Sequence, residues 1–370
     1  MKIALYCPNK PLTHPNPSGD LIIARGLHNA LNRFGHQCEE VLQFRSRWFW
    51  KSPEGWCRAA AALTRGFLNA YRLAPRVWLT YHSYYKSPDV VGPWVSRALG
   101  IPYVLFQPMY GTRRRKDPRT RGGFYLNRIA LKQACHSFVN NLDDLEAMRR
   151  IVPGGNITYL PPGIFPKQFA RDENLGFEMR RALHIGSDVP VIMTAARFRA
   201  DVKYESLVYL LHALAKLRLR RPRFRLLVAG DGPMESRLKE LARELLPGQA
   251  LFVGKVPREK MFEYYSASDV FAFPGIGESL GMVFLEAQAC RLPVVALDTG
   301  GVPQVVRSGE TGRLVPRDDG EAMAAALDDL LGDREARLTM GRNGERFIQE
   351  ERNLERNTLR LSAALEAIAR

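Results

Sequence analysis

Ten short apolar runs, spaced by helical and turn-forming stretches, constrain this chain more than any other feature. In the first half they are KIALYC, RVWLTYH, YVLFQ, SFVNN and ITYLPPG; in the second, VIMTAAR, RLLVAGDG, ALFVGKV, VFAFPG and VVALDTG. They are too continuous to leave one face wet, which is the signature of strands covered on both sides in a parallel sheet. Helical patterns lie between them, as at residues 207–220 and 234–246. Strand–helix alternation of this kind predicts an α/β chain, and two separate series predict two Rossmann-like, doubly wound domains. The polar, Pro- and Gly-bearing segment 163–176 marks the boundary. We place a first domain at residues 1–168 and a second at 169–354, with a final helical pattern over 355–370.

A length of 370 residues with 46% hydrophobic content suits two or three soluble domains. No stretch approaches the ~20 uninterrupted apolar residues of a membrane-spanning helix. MKIALYCPNKP has the pattern of a first strand and not of a secretory signal. Five scattered cysteines, Cys7, Cys38, Cys57, Cys135 and Cys290, show no metal-ligand or disulfide spacing. They are expected to be reduced, buried thiols of a cytoplasmic protein. The net charge of +16 is lopsided: residues 1–180 hold 26 Lys and Arg against 12 Asp and Glu, residues 181–370 hold 28 against 26. A one-sided basic surface predicts a polyanionic partner.

The chemistry concentrates in PGIGESLGMVFLEAQACRLPVVALDTGG. Glu278 lies in a Gly-rich turn before a helical run. Glu286 lies eight positions later, just over two helical turns, so both can share a face. Glycines at 275, 277 and 281 let backbone pass close to a ligand, and the N–H groups opening the helix suit a phosphate. One carboxylate can face a sugar while the other accepts from a ribose diol. Arg197 and Lys203 flank a short loop after a strand, and two cations this close can hold both phosphates of a diphosphate and stabilise its charge as it leaves. VAGDGP (residues 228–233) is a strand–turn–helix connection that can also bring Gly230 near a nucleotide.

This ordered set of motifs resembles the retaining glycosyltransferases of family 4, which have the GT-B fold. The likeness covers about two thirds of the chain well and the segment 44–126 poorly. It implies that Arg197, Lys203 and Glu278 serve catalysis. It implies that Gly19, Arg197, Lys203, Gly230, Val256, Glu278, Leu280, Gly281, Met282 and Glu286 bind the donor. Gly19, in the loop HPNPSGD, would let backbone approach the pyrophosphate, and Val256, in KVPREKMFEYYSASDV, would meet the base through its backbone. Two other roles remain open: Glu278 can simply complement a helix dipole, and the glycine loop can be a generic polar turn. Many relatives end the strand before MYG with a sugar-facing histidine. Here the matching position is Gln107 or Pro108, and Gln107 can hydrogen-bond a hydroxyl but cannot titrate. His82 is the nearest alternative histidine, with either a catalytic or a structural role. Transferases of this type use the donor's own phosphate as base, so the change does not abolish transfer. The family's GVD is Gly163-Ile164-Phe165 here, a rearranged hinge. The terminal helix is expected to return to the first domain, and the donor to lie mainly on the second, with closure excluding water.

GTRRRKDPRTRGG holds six cations in nine positions, including Arg113, Arg114, Arg115 and Lys116. FRSRWFWKSPEGWCR sets Trp48, Phe49, Trp50 and Trp56 among further cations. Basic plus aromatic composition suits a membrane interface or a single-stranded nucleic-acid platform. No nucleic-acid module accompanies it, so no nucleic acid is expected. We assign Arg113, Arg114, Arg115, Lys116, Trp48 and Trp50 to an acceptor or anionic membrane surface, with Trp48, Phe49 and Trp50 expected to insert shallowly into the bilayer. The expected activity is transfer of a sugar from a UDP- or GDP-sugar to a lipid-linked or saccharide acceptor, in cell-surface glycan or glycolipid synthesis. It would need no metal or other cofactor and would occur on the inner face of the cell membrane. The rivals are another GT-B enzyme, an epimerase or a phosphorylase, and a non-catalytic basic RNA- or lipid-binding protein.

Overall fold

The structure is a computed structural model that describes residues 1–15, 19–152 and 154–370. It divides into one unit of Met1–Pro162 with Glu355–Arg370 and a second of Gly163–Leu354. The division falls a few residues before the expected one, so residues 163–168 belong to the second unit. Their backbone is tied there: Ile164 N–H donates to the Arg352 carbonyl (2.9 Å) and Leu354 N–H donates to the Ile164 carbonyl (2.8 Å).

In the first unit, β1 (Lys2–Tyr6), β2 (Gln37–Leu42), β3 (Val77–Tyr81), β4 (Tyr103–Phe106), β5 (His136–Val139) and β6 (Ile157–Tyr159) form a parallel sheet. Their spatial order is β2-β1-β3-β4-β5-β6. Helices α1 (Gly19–Arg33), α2 (Pro53–Leu73), α3 (Gly92–Leu99), α4 (Pro118–Gln133) and α5 (Leu142–Arg149) make the connections. Alternation along β1 divides its side chains between two cores. Ile3 and Leu5 join Leu27 and Leu31 of α1, while Ala4 and Tyr6 join Ala62 and Ala70 of α2. Ser52 starts α2 by accepting from Gly55 N–H, with Pro53 in the first turn, where its missing donor costs nothing.

The second unit opens with α6 (Glu173–Ala182), then runs β7 (Val191–Ala195), α7 (Val202–Arg220), β8 (Arg225–Ala229), α8 (Glu235–Leu245), β9 (Ala250–Gly254), α9 (Met261–Ser266), β10 (Val270–Ala272), α10 (Met282–Ala289) and β11 (Val294–Leu297). It ends with β12 (Gly312–Val315), α11 (Ala322–Gly332) and α12 (Arg334–Glu351). Its sheet is also parallel, in the order β12-β11-β10-β7-β8-β9. Helix α13 (Leu354–Ile368) then buries Leu361 and Leu365 in the α1 face of the first unit.

Three expectations are corrected. Strands β2 and β12, absent from the sequence reading, occupy the outer edges of the two sheets. Cys57 and Cys135 are exposed, and only Cys7, Cys38 and Cys290 are buried. Phe49 is buried, with its ring 5.1 Å from that of Trp56 and 6.0 Å from that of Phe44, so it is a core residue of the first unit and cannot insert into a surface.

Candidate functional site

Ligands of parallel sheets gather at the carboxyl ends of the strands. In the second unit those ends carry the predicted residues. Arg197 follows β7, Gly230 follows β8, and the loop with Gly275, Gly277 and Glu278 follows β10. Asp201 caps α7 by accepting from Lys203 N–H (2.9 Å), which sets Lys203 in the first turn. The glycine loop seats on that turn. Ile276 N–H donates to Ser206 Oγ (3.1 Å), and a Cβ on Gly277 would press on Val202 at 3.1 Å. Docked this way, the loop brings Glu278 onto Lys203 as an ion pair in which both side chains are largely buried. Burial pulls the Lys203 ammonium down to about 8, Arg199 adds repulsion and Asp201 opposes both.

The loop is fixed from its other side by Gly300 and Gly301. Gly301 N–H donates to the Glu278 carbonyl (3.0 Å), and a Cβ there would lie 1.5 Å from the Ser279 carbonyl oxygen. Gly281 has φ 69°, which favours glycine, and leads into Met282 at the start of α10, while Leu280 is buried behind it. Gly230 has a scaffolding role. A Cβ on it would meet the Ala196 carbonyl oxygen at 1.9 Å, and one on Gly232 the Phe198 carbonyl oxygen at 2.6 Å. The VAGDGP turn thus cradles the segment that presents Arg197, whose side chain is exposed. Val256 is half-buried against the core of the second unit.

Glu286 is buried on α10. Its Oε1 accepts from Arg258 through Nε (2.9 Å) and Nη2 (2.9 Å), and its Oε2 from the Tyr265 hydroxyl (3.3 Å). Burial pushes the carboxyl up and Arg258 pulls it back. Both glutamates of the sequence pair are therefore neutralised by a cation: Glu278 by Lys203, Glu286 by Arg258. Sequence reasoning missed Arg258 and Tyr265. Their only signal was a basic, aromatic stretch in the segment expected to meet the base.

In the first unit, Gln107 and His82 meet at the ends of adjacent strands. The His82 Nδ1–H donates to the Gln107 carbonyl (3.2 Å), and the Tyr81 hydroxyl donates to Gln107 Oε1 (2.9 Å). Both residues have left-handed backbone, φ 60° and φ 56°. Two non-glycine residues so placed store strain at the carboxyl edge of the sheet, a mark of functional sites. Gly19 opens α1, while residues 16–18 of its loop lie outside the described residues. Arg113, Arg114, Arg115 and Lys116 are exposed on a 3₁₀ turn and its cap. Arg114 stacks on Tyr85 (4.6 Å), and the Tyr85 ring lies 6.3 Å from Trp48, itself 5.3 Å from Trp50. The basic turn and the tryptophans are thus one surface. Among the described residues no group of His, Cys, Asp and Glu is placed to hold a metal ion, and no helix is long and apolar enough to cross a membrane.

Residues 177–347 match the model of a family described as glycosyl transferases group 1. Over 203 residues the chain is 35% identical to a GDP-mannose-dependent alpha-(1-6)-phosphatidylinositol monomannoside mannosyltransferase of Mycolicibacterium smegmatis, covering 53% of this chain and 52% of that protein. It is 37% identical over 199 residues to a D-inositol 3-phosphate glycosyltransferase of Corynebacterium urealyticum, covering 51% and 44%. The chain thus spans about half the length of the curated relatives it matches. Among solved structures, the sucrose-phosphate synthase of Thermosynechococcus elongatus superposes with a TM-score of 0.77 at 22% identity, over 99% of this chain and 98% of that one. That likeness shows the fold, which is GT-B.

Proposed function

We propose that this chain, a GT-B protein whose residues 177–347 form a glycosyl transferase group 1 domain, transfers a hexose from a nucleotide diphosphate sugar to a lipid-linked or saccharide acceptor with retention of configuration. The observation that carries this reading is the buried Lys203–Glu278 pair at the carboxyl end of the second sheet. A largely buried cation beside a carboxylate is prepared for a diphosphate on one side and sugar hydroxyls on the other. Lys203 and Arg197 take the two phosphates, Glu278 the sugar, Glu286 the ribose, and backbone at Leu280, Gly281 and Met282 the charge developing on the diphosphate. The anomeric carbon–oxygen bond to the diphosphate breaks. The acceptor oxygen bonds to that carbon, and its proton passes to the leaving diphosphate. The cations supply the charge stabilisation that a divalent metal would otherwise give.

The named relatives favour GDP-mannose as donor and an inositol-phosphate acceptor. A phosphorylated acceptor suits the basic first unit, to which we assign Arg113, Arg114, Arg115, Lys116, Trp48 and Trp50, with Gln107 and His82 toward its hydroxyls. The same surface supports peripheral attachment to the anionic inner face of the cell membrane. So does α2, which buries Ala59, Ala62, Gly66 and Ala70 but exposes Trp56 (50%) and Tyr71 (68%) beside Arg58, Arg65 and Arg72. A thermal-shift panel of GDP, UDP, ADP and their sugars tests the donor. Ligand at about 100 times its dissociation constant stabilises by ~2.7 kcal/mol. No shift with any of them refutes the reading.

A further inference from the structure

We propose that Arg258 is a positioning residue of the donor site: it clamps one oxygen of the Glu286 carboxylate and leaves the other, held only by a phenol, to receive the ribose hydroxyls. The inference rests on the donor reading above. The two oxygens are unequal. Oε1 takes two N–H groups of Arg258 at 2.9 Å, whereas Oε2 has one long bond from the Tyr265 hydroxyl at 3.3 Å. A carboxylate oxygen accepts more than one hydrogen bond, so Oε2 is the one with capacity left for a diol.

Arg258 is itself held in plane. It leads a 3₁₀ turn after β9, its guanidinium lies over the Phe169 ring (4.8 Å), and its Nη1 donates to Gln168 Oε1 (3.3 Å). Two N–H groups on one oxygen fix the position of that oxygen as well as its charge. The other groups facing Glu286 do not replace it. Tyr265 and Cys290 are pushed up by burial and stay neutral. Arg171 donates from Nη1 to the Cys290 carbonyl (3.5 Å) and not to Glu286, and Glu345 is ion-paired with Arg291. Without Arg258, burial would shift Glu286 further toward its neutral acid form, which is a poorer acceptor for two hydroxyls.

The test compares the affinity of the full chain for GDP with that for 2′,3′-dideoxy-GDP, by calorimetry between pH 5.5 and 7.5. The ratio of the two cancels every effect on phosphates and base. In the wild type the ratio should favour GDP and be flat with pH. In Arg258→Met it should collapse toward unity at pH 5.5 and recover as pH rises, by up to about tenfold per unit. Arg258→Lys should restore most of the preference, and adding Glu286→Gln to Arg258→Met should flatten the profile. An Arg258→Met ratio that matches wild type, or falls equally at every pH, overturns the proposal. So does equal weakening of both nucleotides, which would place Arg258 on the phosphates or base. A wild type that binds neither this pair nor the corresponding UDP and ADP pairs sinks the donor reading itself.

Discussion

The two units share an architecture and differ in how they handle charge. Each is a six-stranded parallel sheet, yet the first holds 26 Lys and Arg against 11 Asp and Glu and the second 28 against 27. The second unit settles its charges internally, through pairs such as Arg180–Asp269, Arg221–Asp328, Arg291–Glu345 and Arg307–Glu351. Its two site carboxylates follow the same rule. In the first unit the exposed cations of the 113–116 turn and of α2 far outnumber nearby acids. A fold with balanced charge can aim a few of them at a small ligand, while a fold with surplus charge attracts a large polyanion. Under the proposed function, chemistry belongs to the second unit and association to the first.

The sharpest way to break it is to remove the second unit's site cations. Lys203→Ala and Arg197→Ala should each lower kcat by on the order of 10²–10³, the value of one preorganised contact to a leaving group. Binding of the protein to vesicles should not change. Wild-type turnover in both variants would return these residues to ordinary loop charges.

The converse change acts on the first unit. Replacing Arg113, Arg114, Arg115 and Lys116 together by Ser should weaken binding to anionic vesicles by roughly a hundredfold at low salt, since each such cation contributes up to ~1 kcal/mol before screening. Nucleotide binding should be unaffected. Co-sedimentation at low and high salt reads the effect. A wild type that stays in the supernatant at low salt would leave the charge to the acceptor alone.

Within the second unit the two carboxylates should separate. Glu286→Ala should raise KM for the donor by about tenfold with little change in kcat, because the ribose is held in ground and transition states alike. Glu278→Ala should lower kcat more than it raises KM. The opposite split would exchange their roles.

Sequence legibility followed uninterrupted hydrophobicity: the edge strands β6 and β9 carry no charge and stood out as apolar runs although neither is fully buried. The central strands β3 and β4 are buried throughout and were visible as apolar runs. Strands β2 and β12 pair on one side only, and Glu39, Glu40 and Arg313 interrupt their hydrophobicity. Such charge guards an edge strand against aggregation, and the same charge hides it from a hydrophobicity pattern. At the site, Glu278, Glu286, Arg197 and Lys203 stand in motifs with fixed spacing. Arg258 does not. It meets Glu286 from 28 positions away, and only the turn after β9, folded against α10, makes them neighbours.

The smallest and most specific expected effect is a pH dependence set by Lys203. Its ammonium is pulled down to about 8 by burial, with Arg199 adding repulsion. The group is cationic below that value and neutral above it, so the free protein loses its phosphate contact as pH rises through about 8. Affinity for the donor, read as kcat/KM, should fall above pH 8 by up to tenfold per unit. At saturating donor, kcat should hold to higher pH, because a bound diphosphate favours the charged amine. Arg199→Ala removes the repulsion and should move the midpoint of kcat/KM upward, leaving the plateau at lower pH nearly unchanged. Vesicle binding by the exposed 113–116 turn of the first unit should not follow this profile, because Lys203 lies in the other unit. A donor profile that is flat to pH 9.5, or that breaks together with vesicle binding, would dissolve the contrast between a tuned, buried cation and a merely abundant surface one.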